Sequence, residues 1–315
     1  MRRLSKVLVT GGAGFIGSRL VDKLVCKGYS VVVLDNLCSG SRRNLRSHLD
    51  CDDFRLVKGD VRDREDVGDA MDGVDAVVHL AALIDVESSV NSPFETHDVN
   101  VSGTLSVLSE AVERGVRRFL FASSAAVYGD GSLPPLREDF PPKPISPYAA
   151  SKVAAELYCQ AFNRSYGLGT VILRYFNVYG PRREFSPSGG VVERFLSNAL
   201  GGKPLVVFGD GKQSRDFIYL DDVIEATMLA LESDNPHGKV LNICTGRPAT
   251  LNELVDLVQE IVGKEIETKY FVERRGDVRY NYGDPAKAEE VIGFKAKVDL
   301  KMGLELTKRR LRRKC

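Results

Sequence analysis

Val7-Leu8-Val9-Thr10-Gly11-Gly12-Ala13-Gly14-Phe15-Ile16-Gly17 decides how the rest of this chain is read. Val7–Val9 reads as a short buried strand, the glycines as a turn, and the residues after them as the opening of a helix. Gly12, Gly14 and Gly17 have the spacing of a dinucleotide-binding turn, as do Gly11, Gly14 and Gly17. Glycine permits the tight turn, lets backbone approach a phosphate and lets the helix pack closely on the strand. The helix amino terminus offers N–H groups and a partial positive charge to a pyrophosphate. The motif alone is weak evidence; the strand before it and the helix after it supply the context it needs.

Working outward, further β-rich runs fall at Val31–Leu34, Phe54–Val57, Ala76–Leu80, Phe119–Phe121 and Thr170–Leu173, with helical spacing between them, as in Gly103–Arg114 and Tyr148–Tyr166. Nearly continuous apolar strands alternating with helices predict an α/β fold: a doubly wound parallel sheet of Rossmann type, covered on both faces. Asp35 closes the second strand, where a carboxylate would accept from adenosine ribose hydroxyls and repel a 2′-phosphate. NAD is therefore expected over NADP, although Arg42 and Arg43 stand where they could receive such a phosphate. Beyond about residue 178, Gly and Pro recur more often, and helical patterns follow at Val191–Leu200, Asp221–Leu231 and Leu251–Val262. The expected division is a dinucleotide domain over 1–177 and a smaller α+β region over 178–315. Part of the latter, near 217–243, is a candidate to return to the first.

Composition narrows the class. At 315 residues and 43% hydrophobic the chain can bury a substantial core, and 44 basic against 43 acidic residues leave a net charge of +1. That balance argues against a nucleic-acid partner, and no apolar run approaches the ~20 residues that would cross a membrane. The amino terminus lacks a signal-peptide pattern, so a cytoplasmic location is expected. None of the six cysteines forms a CxxC pair and the four histidines form no close pair, so no metal site is expected. The basic run Lys308–Lys314 reads as a solvated helix end.

Ser146-Pro147-Tyr148-Ala149-Ala150-Ser151-Lys152 carries the chemistry. Ser146 suits a helix N-cap and Pro147 the first helical position. Tyr148 and Lys152 then share one helix face. A phenol ordinarily titrates near ~10, and a neighbouring ammonium, the helix terminus and a nicotinamide cation would each favour its ionised form. Tyr148 is thus a candidate proton acceptor. Ser124 falls at the carboxyl end of the Arg118–Ser123 strand, the edge where such sheets bind ligands, and could align a substrate oxygen with Tyr148.

These stretches, together with VLDNLCSG, KGDVRD, VVHLAA, DVNVSGT, FASSAAVYG, LRYFNVYGPR, FGDGKQSRDFIYLDDV and RRGDVRYNYGDPAKA, make the chain resemble the extended short-chain dehydrogenase/reductases, and within them the UDP-glucose 4-epimerase branch. The resemblance spans nearly the whole chain. It implies a cofactor site made of Gly11, Gly14, Phe15, Ile16, Gly17, Asp35, Asn36, Ser39, Gly40, Asp60, Val61, Leu80, Ala81, Ala82, Asn100, Ser123, Tyr148, Lys152, Tyr175 and Val178. Ser124, Tyr148 and Lys152 are the implied catalytic set. Ser124, Tyr148, Asn177, Val191, Val206, Phe208, Arg215, Arg274, Asp277 and Asn281 are implied to hold the UDP-sugar, with arginines suited to a diphosphate. The implied activity is C4 epimerisation of a UDP-hexose on tightly held NAD, through a transient 4-keto sugar. A homodimer is implied as well, joined through Gly103–Arg114 and Tyr148–Tyr166.

Departures from the family pattern refine this. Related dehydratases and decarboxylases carry an acid just after the active-site Ser or Thr; Ala125 and Ala126 stand here, which favours epimerisation. Asn281 occupies the position, seven after Arg274, where a bulky Tyr is associated with exclusion of N-acetyl sugars. Acceptance of N-acetylhexosamine nucleotides is therefore expected. Asp85, if it faces the sugar, would disfavour uronic acids. The alternatives are another nucleotide-sugar epimerase or dehydratase, or a non-catalytic NAD-binding regulator.

Overall fold

The computed structural model describes residues 4–130, 132–181, 190–234, 237–273 and 278–312. Its strands are β1 Lys6–Thr10, β2 Ser30–Asp35, β3 Phe54–Lys58, β4 Ala76–His79, β5 Arg118–Ser124, β6 Gly169–Tyr175, β7 Asn177–Tyr179, β8 Leu205–Phe208, β9 Ser214–Tyr219, β10 Lys239–Ile243, β11 Pro248–Thr250, β12 Thr268–Phe271 and β13 Tyr280–Asn281. Its helices are α1 Phe15–Cys26, α2 Arg64–Ala70, α3 Val86–Asn91, α4 Pro93–His97, α5 Gly103–Glu113, α6 Pro147–Tyr166, α7 Val191–Leu200, α8 Leu220–Glu232, α9 Leu251–Val262, α10 Ala286–Ile292 and α11 Leu300–Arg312.

Seven strands form one all-parallel sheet in the order β10-β6-β5-β4-β1-β2-β3. Side-chain alternation explains why both faces are covered. Val7, Val9, Val31, Val33, Val78 and Leu120 enter one apolar cluster, while Leu8, Val32, Leu34, Val77, Phe119 and Phe121 enter another. Chain order runs outward from β1 in one direction and from β4 in the other. The carboxyl ends of β1 and β4 therefore mark the switch point, where a crevice for ligand opens.

The doubly wound sheet expected from the sequence is the observed one. The strand at its far edge, β10, comes from late in the chain, and α8 packs on α1 through the Arg19–Asp221 and Lys27–Glu232 pairs. A smaller region has its own core, including Val192, Phe195, Leu196, Leu205, Val207, Phe217, Leu254, Val258 and Leu304. There β9 pairs with β7, β11 and β13, and β8 pairs with β12. The basic carboxyl-terminal run is described only to residue 312, as the end of α11. Among the described residues no helix is long and apolar enough to cross a membrane, and no cluster of metal-ligating side chains occurs.

Candidate active site

The glycine turn joins β1 to α1, and its geometry fits a pyrophosphate. Helix α1 starts at Gly14 with neither a side-chain cap nor an acid in its first turn. A Cβ on Gly17 would lie 2.2 Å from the Gly11 carbonyl oxygen, so helix and loop touch backbone to backbone. Gly11 itself, at φ +67°, abuts the backbone of Leu80 and Ala81. The first phosphate-side segment and the 80–82 segment are thus in contact. Asp35 is buried, and its carboxylate accepts from Ala13 N at 2.9 Å and Leu37 N at 2.8 Å, tying the end of β2 to the glycine loop. Burial pushes its pKa up, against those two hydrogen bonds.

Asn36 donates to Asp60 at 2.9 Å, and Arg62 grips the same carboxylate, holding it well below the usual range. Ser39 is exposed, Gly40 backs onto Ala13, and Val61 packs against Gly103. These residues follow the carboxyl ends of β2 and β3, and Phe15 and Ile16 lie in the first turn of α1, the places from which a dinucleotide would be held. Arg42 and Arg43 lie exposed on a short 3-10 turn just after Gly40.

Asn100 holds the segment after β4 in place. It sits in a π turn, Asp98–Ser102, between α4 and α5. Its side chain accepts from Leu83 N and donates to Leu83 O and to Ser151 Oγ, and Ser151 in turn donates to the Tyr148 carbonyl. A second chain runs underneath. Leu80 N and Ala81 N donate to Thr10 Oγ1, which lies 2.7 Å from His79 Nδ1; His79 Nε2 lies 3.0 Å from Thr104 Oγ1, which donates to Asn100 O. Thr104 has spent its proton, so His79 donates from Nε2 and accepts Thr10's proton at Nδ1. Burial pushes this imidazole down to about 3, so it stays neutral.

Tyr148 enters the crevice from the first turn of α6. Ser146 caps the helix at Ala149 N, Pro147 occupies the first turn, and Ser89 on α3 accepts from Tyr148 N. Ser124, at the carboxyl end of β5, accepts from Ala126 N at 3.2 Å, and its hydroxyl favours the ionised form of the Tyr148 phenol. Lys152 is buried and donates to Ala122 O at 2.9 Å, its Nζ 4.9 Å from the centre of the Phe121 ring.

Burial raises the Tyr148 phenol above its ordinary pKa, and the Ser124 hydroxyl offsets part of this. Burial lowers Lys152 to about 8. In the protein by itself the lysine therefore sheds its proton before the phenol does. Of the three influences expected to favour the phenolate, the nicotinamide cation is the one the protein does not itself supply, and burial works against ionisation. Ionisation near neutrality calls for one more cation beside the ring.

On the substrate side, Asn177 on β7 donates to Asp216 O at 3.2 Å, and Arg215 Nη1 donates to Ser214 O and Val278 O. Asn281 lies opposite Arg215 in the β9–β13 register; it is buried, with no hydrogen-bond partner at Oδ1. Val191 opens α7, while Val206 and Phe208 lie on β8, the latter ring 6.0 Å from Phe271. Arg274 and Asp277 lie outside the described residues.

Tyr175, Val178 and Asp85 each have a partner within the fold. The Tyr175 ring is in the core and its hydroxyl meets Thr227 at 2.8 Å, and Val178 packs on the same core. Asp85 caps α3 at Ser88 N. Sequence reasoning missed Glu156, Arg174 and Asp216, all buried. The signals were present: an acid one turn after Lys152, an arginine inside an apolar strand, and an aspartate between Arg215 and Phe217.

A glycine cradle at the switch point, with a serine at the next strand end and a tyrosine at the start of the helix that follows, defines a dinucleotide-dependent enzyme site. The chain belongs to the NAD dependent epimerase/dehydratase family, whose model matches residues 7–244. It is 39% identical over 304 residues to a UDP-glucose 4-epimerase of Mycolicibacterium smegmatis, covering 96% of this chain and 97% of that one. A crystal structure of UDP-glucose 4-epimerase from Thermotoga maritima with UDP-glucose superposes with a TM-score of 0.93 at 40% identity, over 98% and 99% of the two chains. A UDP-N-acetylglucosamine 4-epimerase from Methanobrevibacter ruminantium, in complex with UDP-N-acetylmuramic acid, gives 0.93 at 37% identity over 100% of both.

Proposed function

We propose that the protein epimerises UDP-hexoses at C4, interconverting UDP-glucose and UDP-galactose and also admitting the N-acetylhexosamine forms. The observation that carries this reading is the placement of Ser124 at the carboxyl end of β5 and of Tyr148 and Lys152 on one face at the start of α6, with Ala125 and Ala126 following Ser124. A dehydratase would need a further carboxylate there to move protons elsewhere on the sugar. The Mycolicibacterium and Thermotoga relatives support the same chemistry.

Bound NAD supplies a hydride acceptor that returns what it takes, together with a cationic ring. Tyr148 takes the C4 hydroxyl proton as that carbon is oxidised, and gives it back when the 4-keto sugar is reduced on its other face. Ser124 holds the C4 oxygen in line with Tyr148. Lys152 adds positive charge behind the ring while it remains protonated. Arg215, Asn177 and the β8 edge hold the UDP, joined by Arg274 and Asp277, so that the hexose can turn while its nucleotide stays fixed. Asn281 is smaller than tyrosine and leaves space beside C2, consistent with the N-acetyl-sugar relative. The cofactor ends each cycle unchanged, so it is held rather than exchanged.

The protein acts as a cytoplasmic homodimer in this reading. Exposed apolar side chains on α6, Leu157 at 59% and Tyr158 at 40% exposure, support the interface expected through α5 and α6. The test of function is a panel of UDP-sugars incubated with purified protein and no added NAD, read by NMR. C4 epimers of UDP-glucose and UDP-N-acetylglucosamine are expected. Turnover of UDP-glucose alone removes the N-acetyl assignment, and turnover of neither removes the whole reading.

A further inference from the structure

Three successive turns of α6 face three successive residues at the end of β5. Ser124 favours ionisation of the Tyr148 phenol, Lys152 donates to Ala122 O, and Glu156 accepts from Ser123 Oγ at 2.5 Å. The spacing i, i+4, i+8 puts all three on one helix face. The first two have roles in the proton chemistry; Glu156 has none yet.

Glu156 is 2% exposed, and both its oxygens are engaged. Oε1 accepts from Arg174 Nε at 2.9 Å as well as from Ser123, and Oε2 accepts from Arg174 Nη2 at 2.7 Å. The β5–β6 register sets Arg174 directly beside Ser123. The guanidinium carbon lies 4.8 Å from the centre of the Tyr128 ring, and Nη1 is buried without an acceptor. Lys152 stands one helical turn before Glu156 on the same buried face, and the two-pronged geometry commits the carboxylate to the arginine.

We propose that Glu156 and Arg174 are a positioning pair for Lys152, fixing the α6–β5 junction and setting the pH at which the lysine loses its proton. The other groups around Lys152 leave this control to the pair. From β4, His79 stays neutral; from α6 itself, burial raises both the Cys159 thiol and the Tyr148 phenol. From β5, Phe121 and Ala122 bring no titrating group. Burial lowers Lys152, and Cys159 and then Glu156 act the other way; with the thiol kept neutral by its own burial, Glu156 is the carboxylate that favours the charged lysine.

The proposal rests on Lys152 belonging to the active site, so its test reads the lysine directly. Lysine is labelled with carbon-13 beside the ammonium, the Lys152 signal is identified by its loss in Lys152→Met, and its shift is followed against pH in the full chain. Glu156→Gln leaves Lys152 facing an unopposed arginine, and its titration moves down. Arg174→Met frees the carboxylate for Lys152, and the titration moves up. Each shift is about one pH unit, the low end of what a neighbouring charge does. The double variant returns to near the parent value. Arg174→Lys keeps the charge but loses the two-pronged bond, and moves the titration up by less than Arg174→Met does.

The alkaline limb of turnover follows the same shifts while KM for the UDP-sugar is unchanged, a pattern that loosened packing alone would not give. If one single variant fails to fold by circular dichroism, the other and Arg174→Lys still read a sign. An unmoved Lys152 titration in the folded variants overturns the proposal, as does a double variant displaced further than either single one. Predicted shifts in a protein that turns over no UDP-sugar would leave the pair standing and sink the epimerase reading instead.

Discussion

Gly17→Ala is a direct probe of the cofactor cradle. The added Cβ would stand 2.2 Å from the Gly11 oxygen and 2.7 Å from the Gly12 Cα. Both obstacles are backbone, so no side-chain rotation relieves the clash. Ordinary carbon–oxygen contact needs about 1 Å more, so the first turn of α1 must move away from the loop by that much. Overpacking of this kind costs about 1–3 kcal/mol. Borne by the NAD-bound form, that cost weakens NAD binding by about 5- to 150-fold.

Gly28→Ala is the control: Gly28 has φ +80° with open space around it, so alanine there bears only the conformational cost of about 1–2 kcal/mol. The assay is the NAD released per chain on denaturing purified protein, alongside the melting temperature. Both variants should melt lower, by about 2–4 °C for each kcal/mol. Only Gly17→Ala should lose bound NAD. Full NAD occupancy in Gly17→Ala, or equal loss in the control, would refute the argument that backbone contact at this turn shapes the cradle.

Tyr148→Phe keeps the ring and removes the proton carrier; turnover should fall about 10²–10⁴-fold with NAD still bound, and unchanged turnover removes Tyr148 from the chemistry. His79 governs acid stability. Its folded-state pKa, about 3, lies below its unfolded value, so the unfolded chain binds the extra proton. The stability it contributes is complete above about pH 6.5 and drains away as pH falls toward the folded value, by about 1.4 kcal/mol per unit. Urea titrations of the parent and of His79→Asn should show that slope difference, and parallel curves would rule it out. Light scattering should give a dimer, and Leu157→Arg on α6 should shift it toward monomer; a monomeric parent ends the dimer reading.

Much of this was legible because α/β architecture writes itself locally. Val7–Val9 and Val31–Leu34 are apolar on both sides, and their turns carry the glycines that close approach demands. Ser146, Pro147, Tyr148 and Lys152 were readable from capping rules and the period of one helix. What escaped was long-range: Glu156 meets Arg174 and Asp216 meets Thr245 only after the chain has folded. Nor does spacing report desolvation, which is why the direction of the Tyr148 shift came out opposite to what its neighbours suggested. Tyr175 reads as a site residue by position, yet its ring turns inward to Thr227.

The measurement that bears most directly on the mechanism is epimerisation of UDP-galactose in heavy water, without added NAD, followed by proton NMR. Hydride that leaves C4 and returns within one site gives UDP-glucose carrying ordinary hydrogen at C4. Deuterium at that carbon, or no UDP-glucose at all, would contradict the account.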